Sequence, residues 1–257
     1  MHILSLETST KIFSLAVSKD DQVLRFRNIR TERILESSMI PAIDKLLDSC
    51  GLNLQKIDAF AVGLGPGSFT SLRVGLSTVK AFAMATGKRV VGINSLDIIA
   101  SGVIREKADE ICVIVDARRR KVYAAIFQVR AQHAVPVQRK IDYLLTTIDD
   151  VLDRVHGATL FVGDGVGLYK NYIEKAYKSV VPECINRGPR TSRCPTKAFG
   201  HDSSGCHPIF ALEKFWYPHA QELAKLAFQR LENKGQDDPA AIVPVYLYPA
   251  DCQIDRP

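Results

Sequence analysis

The sequence predicts an α/β protein made of two halves with related architecture. The opening stretch alternates apolar and polar residues like a β-hairpin, and helical stretches then alternate with short apolar strands. The same order of hairpin, helix and strand begins again near residue 111, although the two halves share negligible sequence identity. We therefore expect an N-terminal domain at 1–108 and a C-terminal domain at 109–257, each with a mixed sheet and helices.

Composition and charge fit this expectation. Of the 257 residues 46% are hydrophobic, which is enough for a substantial core, and no apolar run approaches the roughly 20 residues that span a bilayer. The N-terminus lacks the features of a signal peptide. Six cysteines occur without CxxC pairing, which indicates reduced thiols and a cytoplasmic protein. The net charge of +6 suits a protein that works near RNA or another polyanion.

In the first half, helices and strands follow from apolar spacing and from glycines at their ends. Residues 1–26 predict strands joined by the turn Glu7–Thr10 and a second turn at Asp20 and Asp21. A helix is predicted over 32–49, and Gly51 is well placed to end it. The remaining elements expected here are the buried strand IDAFAVGLG, a helix over 71–86 closed by Gly87, the strand KRVVGI and the helix SLDIIASGVI.

The second half repeats this plan. The elements expected here are two strands within EICVIVDARRRKVYAAIFQV, a helix in TTIDDVLDRVH, the strand ATLFVGDG, a helix beginning in VGLYKNYIEKAY and a last helix that starts near Pro218. We expect this last helix to return toward the N-terminal domain. Residues 182–208 are rich in Gly, Pro and Ser and lack periodicity, which predicts an irregular loop. Cysteines and histidines in that loop match no zinc spacing, so no metal site is expected.

The segment GLGPGSFTSLRVG, at 63–75, is the most patterned motif of the chain. A glycine-rich turn between a strand and a helix can direct backbone N–H groups at a phosphate. The segment lacks the lysine of a P-loop, however, and its glycines are too closely spaced for the dinucleotide-binding pattern. The residues by themselves therefore leave a structural turn and an anion site equally open.

The two halves look like the two lobes of the actin/Hsp70/sugar-kinase-like (ASKHA) fold, in which each lobe opens with a hairpin whose turn touches phosphates. This resemblance adds the first turn to the anion candidates, which are Glu7, Thr8, Ser9, Gly65, Gly67, Ser68, Thr70 and Arg73. The second turn, DARRRK, has no glycine and carries Arg118, Arg119, Arg120 and Lys121. We expect either a contact to RNA phosphates there or a solvated basic turn.

The chain also resembles the TsaB (YeaZ) family. The segments that carry the resemblance are ILSLETST, GLGPGSFTSLRVGLSTVKAFA, VVGINSLDIIA, VIVDARRRKVYAAIF and PVYLYPAD. They cover residues 1–130 closely and about the last forty residues loosely. Glu7 stands where aspartate is commoner in the family, and Ser71 where glycine is.

The resemblance implies a subunit that helps to synthesise threonylcarbamoyladenosine at position 37 of tRNAs that read ANN codons. Its catalytic paralogue TsaD carries the metal motif N-H-x-x-x-H, whereas the matching stretch here keeps Asn94 and has Ser95 and Ile99 at the histidine positions. The expected protein is therefore not an enzyme, and it requires no cofactor. Its implied protein partners are TsaD, with which it forms a heterodimer, and TsaE. The wider complex uses ATP and binds tRNA, for which the chain's own contact candidates are Arg118, Arg119, Arg120 and Lys121. The isolated chain is expected to form a homodimer.

The same resemblance implies that TsaD is contacted through helices of the N-terminal lobe. Helix 32–49 has an apolar stripe wider than packing on one sheet requires, with the next helix as its companion. The interface candidates are Ile34, Leu35, Met39, Ala42, Ile43, Leu46, Leu72, Val79 and Phe82. The alternatives are that this stripe is ordinary core and that the chain is a standalone phosphotransferase or ATPase of the actin-like fold.

Overall fold

A computed structural model describes residues 1–30, 35–104, 108–129, 138–156, 158–187 and 208–248 of the chain. The chain forms two compact units. The first contains Met1–Gly102 together with the chain from Tyr217 onward, and the second contains Val103–Trp216. The sequence-based division placed the boundary at residue 108 and counted the last helix with the second domain. In the structure this helix packs on the sheet of the first unit.

The α/β prediction is confirmed by ten strands and six α-helices in the described residues. The strands are β1 His2–Glu7, β2 Ile12–Lys19, β3 Gln22–Arg30, β4 Ala59–Gly63, β5 Arg89–Ile93, β6 Glu110–Asp116, β7 Val122–Gln128, β8 Gln138–Thr146, β9 Thr159–Val162 and β10 Ile209–Phe210. The helices are α1 Leu35–Asp48, α2 Phe69–Thr86, α3 Ser95–Gly102, α4 Ile148–Leu152, α5 Gly165–Arg187 and α6 Ala220–Glu232.

The two sheets have the same strand order. The first runs β3-β2-β1-β4-β5, and the second, read in the matching direction, runs β8-β7-β6-β9-β10. In each sheet the first three strands pair antiparallel, and the fourth pairs parallel with the first. The recurrence of hairpin, helix and strand in the sequence therefore corresponds to a repeated sheet topology.

In the first unit, helices cover both faces of the sheet. Helices α1 and α2 pack on the face that carries Phe13, Leu15 and Val17 of β2. Helices α3 and α6 cover the opposite face, where Ile3 of β1 and Val91 of β5 are buried. Because both faces are covered, β1 and β4 are buried along nearly their whole length, and β4 carries no polar side chain.

Helix ends in the first unit agree with the sequence. Helix α2 ends at Thr86, and the following Gly87 has φ of +68° while its N–H donates to the Ala83 carbonyl oxygen. Gly51, just after α1, also lies in the left-handed region, with φ of +64°. Glycine adopts this conformation without the steric penalty of a Cβ atom. In the described part of the chain, no helix combines the length and apolar character needed to cross a membrane.

The second unit departs from the sequence-based expectations in four places, one of which is the short strand β10, which the sequence did not indicate. Strand β8 was not anticipated, and α4 has only five residues, fewer than the helical stretch expected there. The irregular loop expected over 182–208 is wrong at its start, because α5 continues to Arg187. Residues 188–207 lie outside the described residues.

Candidate functional site

The turn that follows β1 is buried, although its residues are polar. Glu7, Thr8 and Ser9 expose 0%, 1% and 2% of their surfaces. The turn is the continuation of β1, the central strand of its sheet, and it lies beside the loop between β4 and α2. Buried polar groups need hydrogen-bond partners, and the partners of this turn define the site.

The Glu7 carboxylate joins three separate segments of the first unit. Its Oε1 accepts a hydrogen bond from the Ser9 backbone N–H at 2.6 Å, and its Oε2 accepts one from the Ser95 hydroxyl at 2.9 Å. The Ser95 Oγ in turn accepts the Gly65 N–H at 3.1 Å. The first turn, the glycine-rich loop and the start of α3 are therefore connected through one side chain.

Burial raises the pKa of Glu7 above its ordinary value, because water that would solvate the charge is excluded. The hydrogen bonds from Ser9, Ser95 and the Thr8 backbone oppose this shift, but burial has the larger effect. Glu7 is fully buried, so a phosphate from solvent does not reach its side chain, and the ionised form would repel one. The turn is therefore poorly suited to receive a phosphate next to Glu7.

Three glycines of the motif make room for the three residues of this turn. A Cβ atom on Gly63 would lie 1.8 Å from the Glu7 Oε2, and one on Gly67 would lie 2.1 Å from the Ser9 carbonyl oxygen. A Cβ on Gly75 would lie 2.4 Å from the Thr8 Oγ1. All three distances are too short for any real contact. The glycine spacing therefore follows from the close approach of the protein's own hairpin turn.

Backbone donors of the glycine-rich loop are directed at the protein itself. The Ser68 N–H donates to the Ser9 carbonyl at 2.7 Å, and the Gly65 N–H donates to the Ser95 Oγ at 3.1 Å. The sequence had left a structural turn and an anion site open for this loop. These bonds favour the structural turn, since an anion site needs N–H groups that point away from the protein. Thr8 Oγ1 and Ser9 Oγ find no hydrogen-bond partner among the described residues.

The structure brings together most of the anion candidates, but not all of them. Glu7, Thr8 and Ser9 contact the loop that contains Gly65, Gly67 and Ser68. Thr70 lies in the first turn of α2 and is exposed. Arg73 is engaged elsewhere. Its guanidinium lies 3.7 Å from the centre of the Phe69 ring, and its Nε donates to the Tyr246 hydroxyl at 3.1 Å.

Arg73 lines a groove of about 310 Å³ between α2 and residues 242–246. Lys80 also lines this groove, and no acidic residue does. The part played by Tyr246 could not be found from the sequence, because nothing in the chain's periodicity links that residue to a helix more than 170 positions away.

The partner-interface candidates are mostly core. Met39, Ala42, Ile43, Leu46, Leu72 and Val79 are each at most 7% exposed and pack between the helices and the sheet, and Phe82 is half-buried against them. In the free chain these side chains therefore do not form an exposed surface. Their helical spacing reflects packing on the sheet. Ile34 lies outside the described residues, and only the backbone of Leu35, at the start of α1, is described.

The outer surface of these two helices is formed by other residues. On α1 the exposed large apolar side chain is Ile40, which is 44% exposed. On α2 the exposed residues include Phe69, Arg73, Ser77, Ala81, Met84 and Ala85. Met84 is 73% exposed. The sequence signal that could have found this face is the scarcity of charge on α2, where Arg73 and Lys80 are the only charged residues in 18 positions.

The basic turn of the second unit is exposed. Arg118, Arg119 and Arg120 have φ of +65°, +50° and +60°, and all three side chains, with that of Lys121, face solvent. Asp116, at the end of β6, accepts the Arg118 N–H at 2.8 Å. This turn has the same place in its sheet as the Glu7 turn has in the first sheet.

At the two positions where the resemblance places histidines in TsaD, the structure shows packing. Ser95 is 1% exposed and hydrogen bonds to Glu7, while Ile99 is 2% exposed and lies in the core. Asn94 caps α3, with its Oδ1 accepting the Leu96 N–H at 2.8 Å. Within the described ranges, no three His, Cys, Asp or Glu side chains come together as ligands for a metal ion.

Comparison with known proteins identifies a family model and sequence relatives that match this chain. The family model "TsaD: tRNA N6-adenosine threonylcarbamoyltransferase" matches residues 30–191. The TsaB protein of Bacillus subtilis is 27% identical over 197 residues, covering 75% of this chain and 84% of that protein. The TsaB protein of Escherichia coli is 32% identical over 133 residues, covering 50% of this chain and 55% of that protein. Both bear the name "tRNA threonylcarbamoyladenosine biosynthesis protein TsaB".

Among solved structures, YeaZ from Pseudomonas aeruginosa superimposes with a TM-score of 0.70 at 23% identity, covering 96% of this chain and 99% of that one. This likeness shows that the two proteins share a fold, the two-lobed actin-like fold that the sequence predicted. The family model covers more than half of the chain, and the relatives that match most of its length are TsaB proteins. The chain therefore belongs to the TsaB (YeaZ) family, within the larger group that the TsaD family model describes.

Proposed function

We propose that this chain is a non-catalytic subunit in the synthesis of threonylcarbamoyladenosine at position 37 of tRNAs that read ANN codons. In this proposal it forms a heterodimer with a TsaD-type transferase and activates it, while TsaE and ATP act in the wider complex. Family membership and the names of the TsaB relatives support the role in this tRNA modification.

One observation carries the non-catalytic part of the proposal. The two positions that resemble the metal-binding histidines of TsaD hold Ser95 and Ile99, and both side chains are committed to the interior. The Ser95 hydroxyl holds Glu7 and the glycine-rich loop in place, and Ile99 packs in the core. An isoleucine cannot bind a metal, and a serine already bonded to a buried carboxylate is a poor ligand. The site has a structural use in this chain.

The exposed face of α2 supports docking of a partner helix. Ser77, Ala81 and Ala85 follow one another at intervals of four, so they form a smooth ridge along the helix. Phe69 and Met84 add exposed apolar area at either end, and Arg73 is the one exposed charge of this face. Surface helices usually present a polar outer face, whereas a partly apolar face with small residues allows a second helix to approach closely. We expect the isolated chain to form homodimers through the same face.

Reconstitution tests the function. TsaD, TsaE, tRNA, ATP and threonylcarbamoyl-adenylate are combined with and without this chain, and modified adenosine is measured. We expect modification to depend on the chain, and equal modification without it would reject the proposal. The phosphotransferase alternative is tested by incubating the isolated chain with ATP alone. That alternative predicts sustained ATP turnover, whereas the proposed function predicts none.

A pair of variants tests the docking face. Met84→Glu places a charge on the exposed face of α2, whereas Leu168→Glu places one on α5, where Leu168 is 63% exposed. Both variants should remain folded, because both side chains face solvent. We expect Met84→Glu to abolish the heterodimer peak in size-exclusion chromatography with TsaD, and Leu168→Glu to leave it unchanged. If Met84→Glu formed the complex normally, this face would not be the interface.

A further inference from the structure

The turn between β6 and β7 places arginines where a hairpin normally has asparagine and glycine. The Lys121 N–H donates to the Arg118 carbonyl at 2.9 Å, which closes a tight turn with Arg119 and Arg120 at its centre. Both central residues have positive φ, +50° and +60°, as in the type I′ turns for which Asn-Gly is preferred. Arg118 is also left-handed, at +65°.

Elsewhere in the described chain, left-handed residues occur singly and are mostly residue types that tolerate positive φ. Gly51 and Gly87 adopt it just after α1 and α2, and Asp20, a residue type that tolerates it, adopts it in the turn between β2 and β3. Lys234 is a single residue of this kind after α6. Three consecutive left-handed residues with long side chains occur in the described residues only at the arginine turn. Strain of this kind persists where the side chains serve a purpose other than stability.

Few carboxylates neutralise the turn. The guanidinium of Arg118 lies 3.5 Å from the Asp116 carboxylate and is 87% exposed, so this ion pair is weak. Arg119, Arg120 and Lys121 form no ion pair with any described residue. The two carboxylates at the start of α4, Asp149 and Asp150, instead accept hydrogen bonds from Tyr172 and Thr146. The turn therefore presents a compact positive charge to solvent.

The backbone of the turn is held firmly. The Ala117 N–H donates to the Lys121 carbonyl at 3.0 Å, and the Asp116 carboxylate accepts the Arg118 N–H. The Asp116 N–H donates in turn to the Asp164 carboxylate at 3.0 Å, which ties the end of β6 to the start of α5. A rigid base reduces the conformational entropy lost when the arginines bind a ligand.

We propose that this arginine turn binds the sugar–phosphate backbone of a structured RNA. The choice of RNA among polyanions rests on the proposed function. The guanidinium group pairs with phosphate oxygens in a two-pronged geometry. No aromatic residue lies between Asp116 and Lys121 to stack on a base, so the contact is independent of sequence and sensitive to salt. The arginines thus favour binding at the expense of the turn's own stability.

The double variant Arg119→Asn/Arg120→Gly separates the two effects, because it gives the turn its preferred residues and removes two charges. The matched control Arg25→Gln/Arg27→Gln removes two exposed charges from β3 of the first unit. Each full-length protein is titrated, alone and with TsaD, into a fluorescent unmodified tRNA that reads an ANN codon. Anisotropy is measured at several salt concentrations, and thermal unfolding is followed in parallel.

We expect the turn variant to bind tRNA at least tenfold more weakly, with a salt dependence of log Kd reduced by about two. It should also melt at a higher temperature and still form the heterodimer with TsaD. The control should lose less than threefold in affinity. Four results would each overturn the proposal. They are an equal loss of tRNA affinity in both variants, an unchanged affinity in the turn variant, a lower melting temperature of the turn variant, and no tRNA binding by the unmodified chain either alone or with TsaD. Failure of the proposed function is a separate result, seen as modification that proceeds without the chain.

Discussion

The turn after β1 and the turn after β6 occupy the same position in two sheets of identical strand order, yet one is buried and the other faces solvent. In the first, Glu7 is enclosed and hydrogen bonds to Ser9 and Ser95. In the second, Asp116 keeps 20% of its side chain exposed and supports a turn of arginines. Each turn begins with an acidic residue at the end of the central strand.

The difference comes from what packs beside each turn. The first turn is enclosed by the end of β4, the loop that precedes α2 and α2 itself, where Gly63, Gly67 and Gly75 carry no side chain that would collide with it. In the second sheet the corresponding glycine, Gly163, has φ of +111° and approaches the Ile114 carbonyl within β6, not the turn. A repeated topology therefore leaves the two turns free to serve different purposes. One organises the core, and the other is available to bind.

Gly67→Ala should have the largest effect on the first turn. The added Cβ would meet the Ser9 carbonyl oxygen at 2.1 Å, and this backbone atom is fixed by its bond from the Ser68 N–H. We expect a loss of about 3 kcal/mol or more in the free energy of unfolding, measured by urea denaturation. Gly102→Ala is the control, since its Cβ would lie 3.8 Å from Glu222, an ordinary contact. A Gly67→Ala protein as stable as the control would show that the turn can move aside.

Ser95→Ala should destabilise the first unit by about 2 kcal/mol, because it removes the hydroxyl donor to a buried carboxylate and the acceptor for the Gly65 N–H. Ser101→Ala is the matched control, since that hydroxyl lies in the same helix and makes a long bond of 3.4 Å. The same urea titration compares the two. Equal stability of the two variants would mean that the connection through Glu7 does not hold the turn.

Glu7→Gln should change how stability depends on pH. Burial raises the pKa of Glu7, so the folded chain retains this proton to higher pH than the unfolded chain. Glu7 therefore lowers stability as the pH rises from its ordinary value of about 4.3 to the raised value, with a slope of up to about 1.4 kcal/mol per pH unit. Above the raised pKa the slope vanishes.

Glutamine lacks this ionisation. The unfolding free energy of Glu7→Gln minus that of the unmodified protein should consequently increase from pH 4.5 upward and then level off. Chemical denaturation at half-unit pH steps measures the difference. Parallel curves for the two proteins would contradict the raised pKa of the buried carboxyl.

Asp116→Ala should have the smallest effect, about 0.5 kcal/mol. The hydrogen bond that it removes, from the Arg118 N–H, is exposed, and water can replace the lost acceptor. Thermal unfolding of this variant beside Ser95→Ala compares the two turns directly. If Asp116→Ala lost as much stability as Ser95→Ala, the second turn would contribute as much to the stability of its unit as the first turn does.

Much of the fold was predictable from local patterns. The alternation in residues 1–26, the continuous apolar run that became β4 and the end of α2 at Gly87 all appear where the sequence placed them. Strand β8 was missed, since residues 138–146 mix charged and apolar residues without clear alternation. The extension of α5 to Arg187 was missed because residues 182–208 lack periodicity and are rich in Gly, Pro and Ser.

The candidate site was predictable in its residue types but less so in its contacts. The sequence placed Glu7, Thr8 and Ser9 with the glycine-rich loop, and the structure brings these segments together. It also assigned Met39 and Ile43 to a partner surface, and both are 1% exposed. An apolar stripe has the same spacing whether it packs on the chain's own sheet or on another protein, so spacing alone could not distinguish these cases.

The amino-acid order alone determined most of the helices and strands, the repeated plan and the family, because periodicity, glycine positions and motifs are local properties of the chain. Only the tertiary structure decided which face of α1 and α2 is outward, that Gly63 and Gly67 make room for the chain's own turn, and that Ser95 holds Glu7. Those facts depend on segments up to 88 residues apart meeting in space. A glycine in the sequence shows that no side chain is present at that position, but only the folded structure shows which group of the protein lies against it.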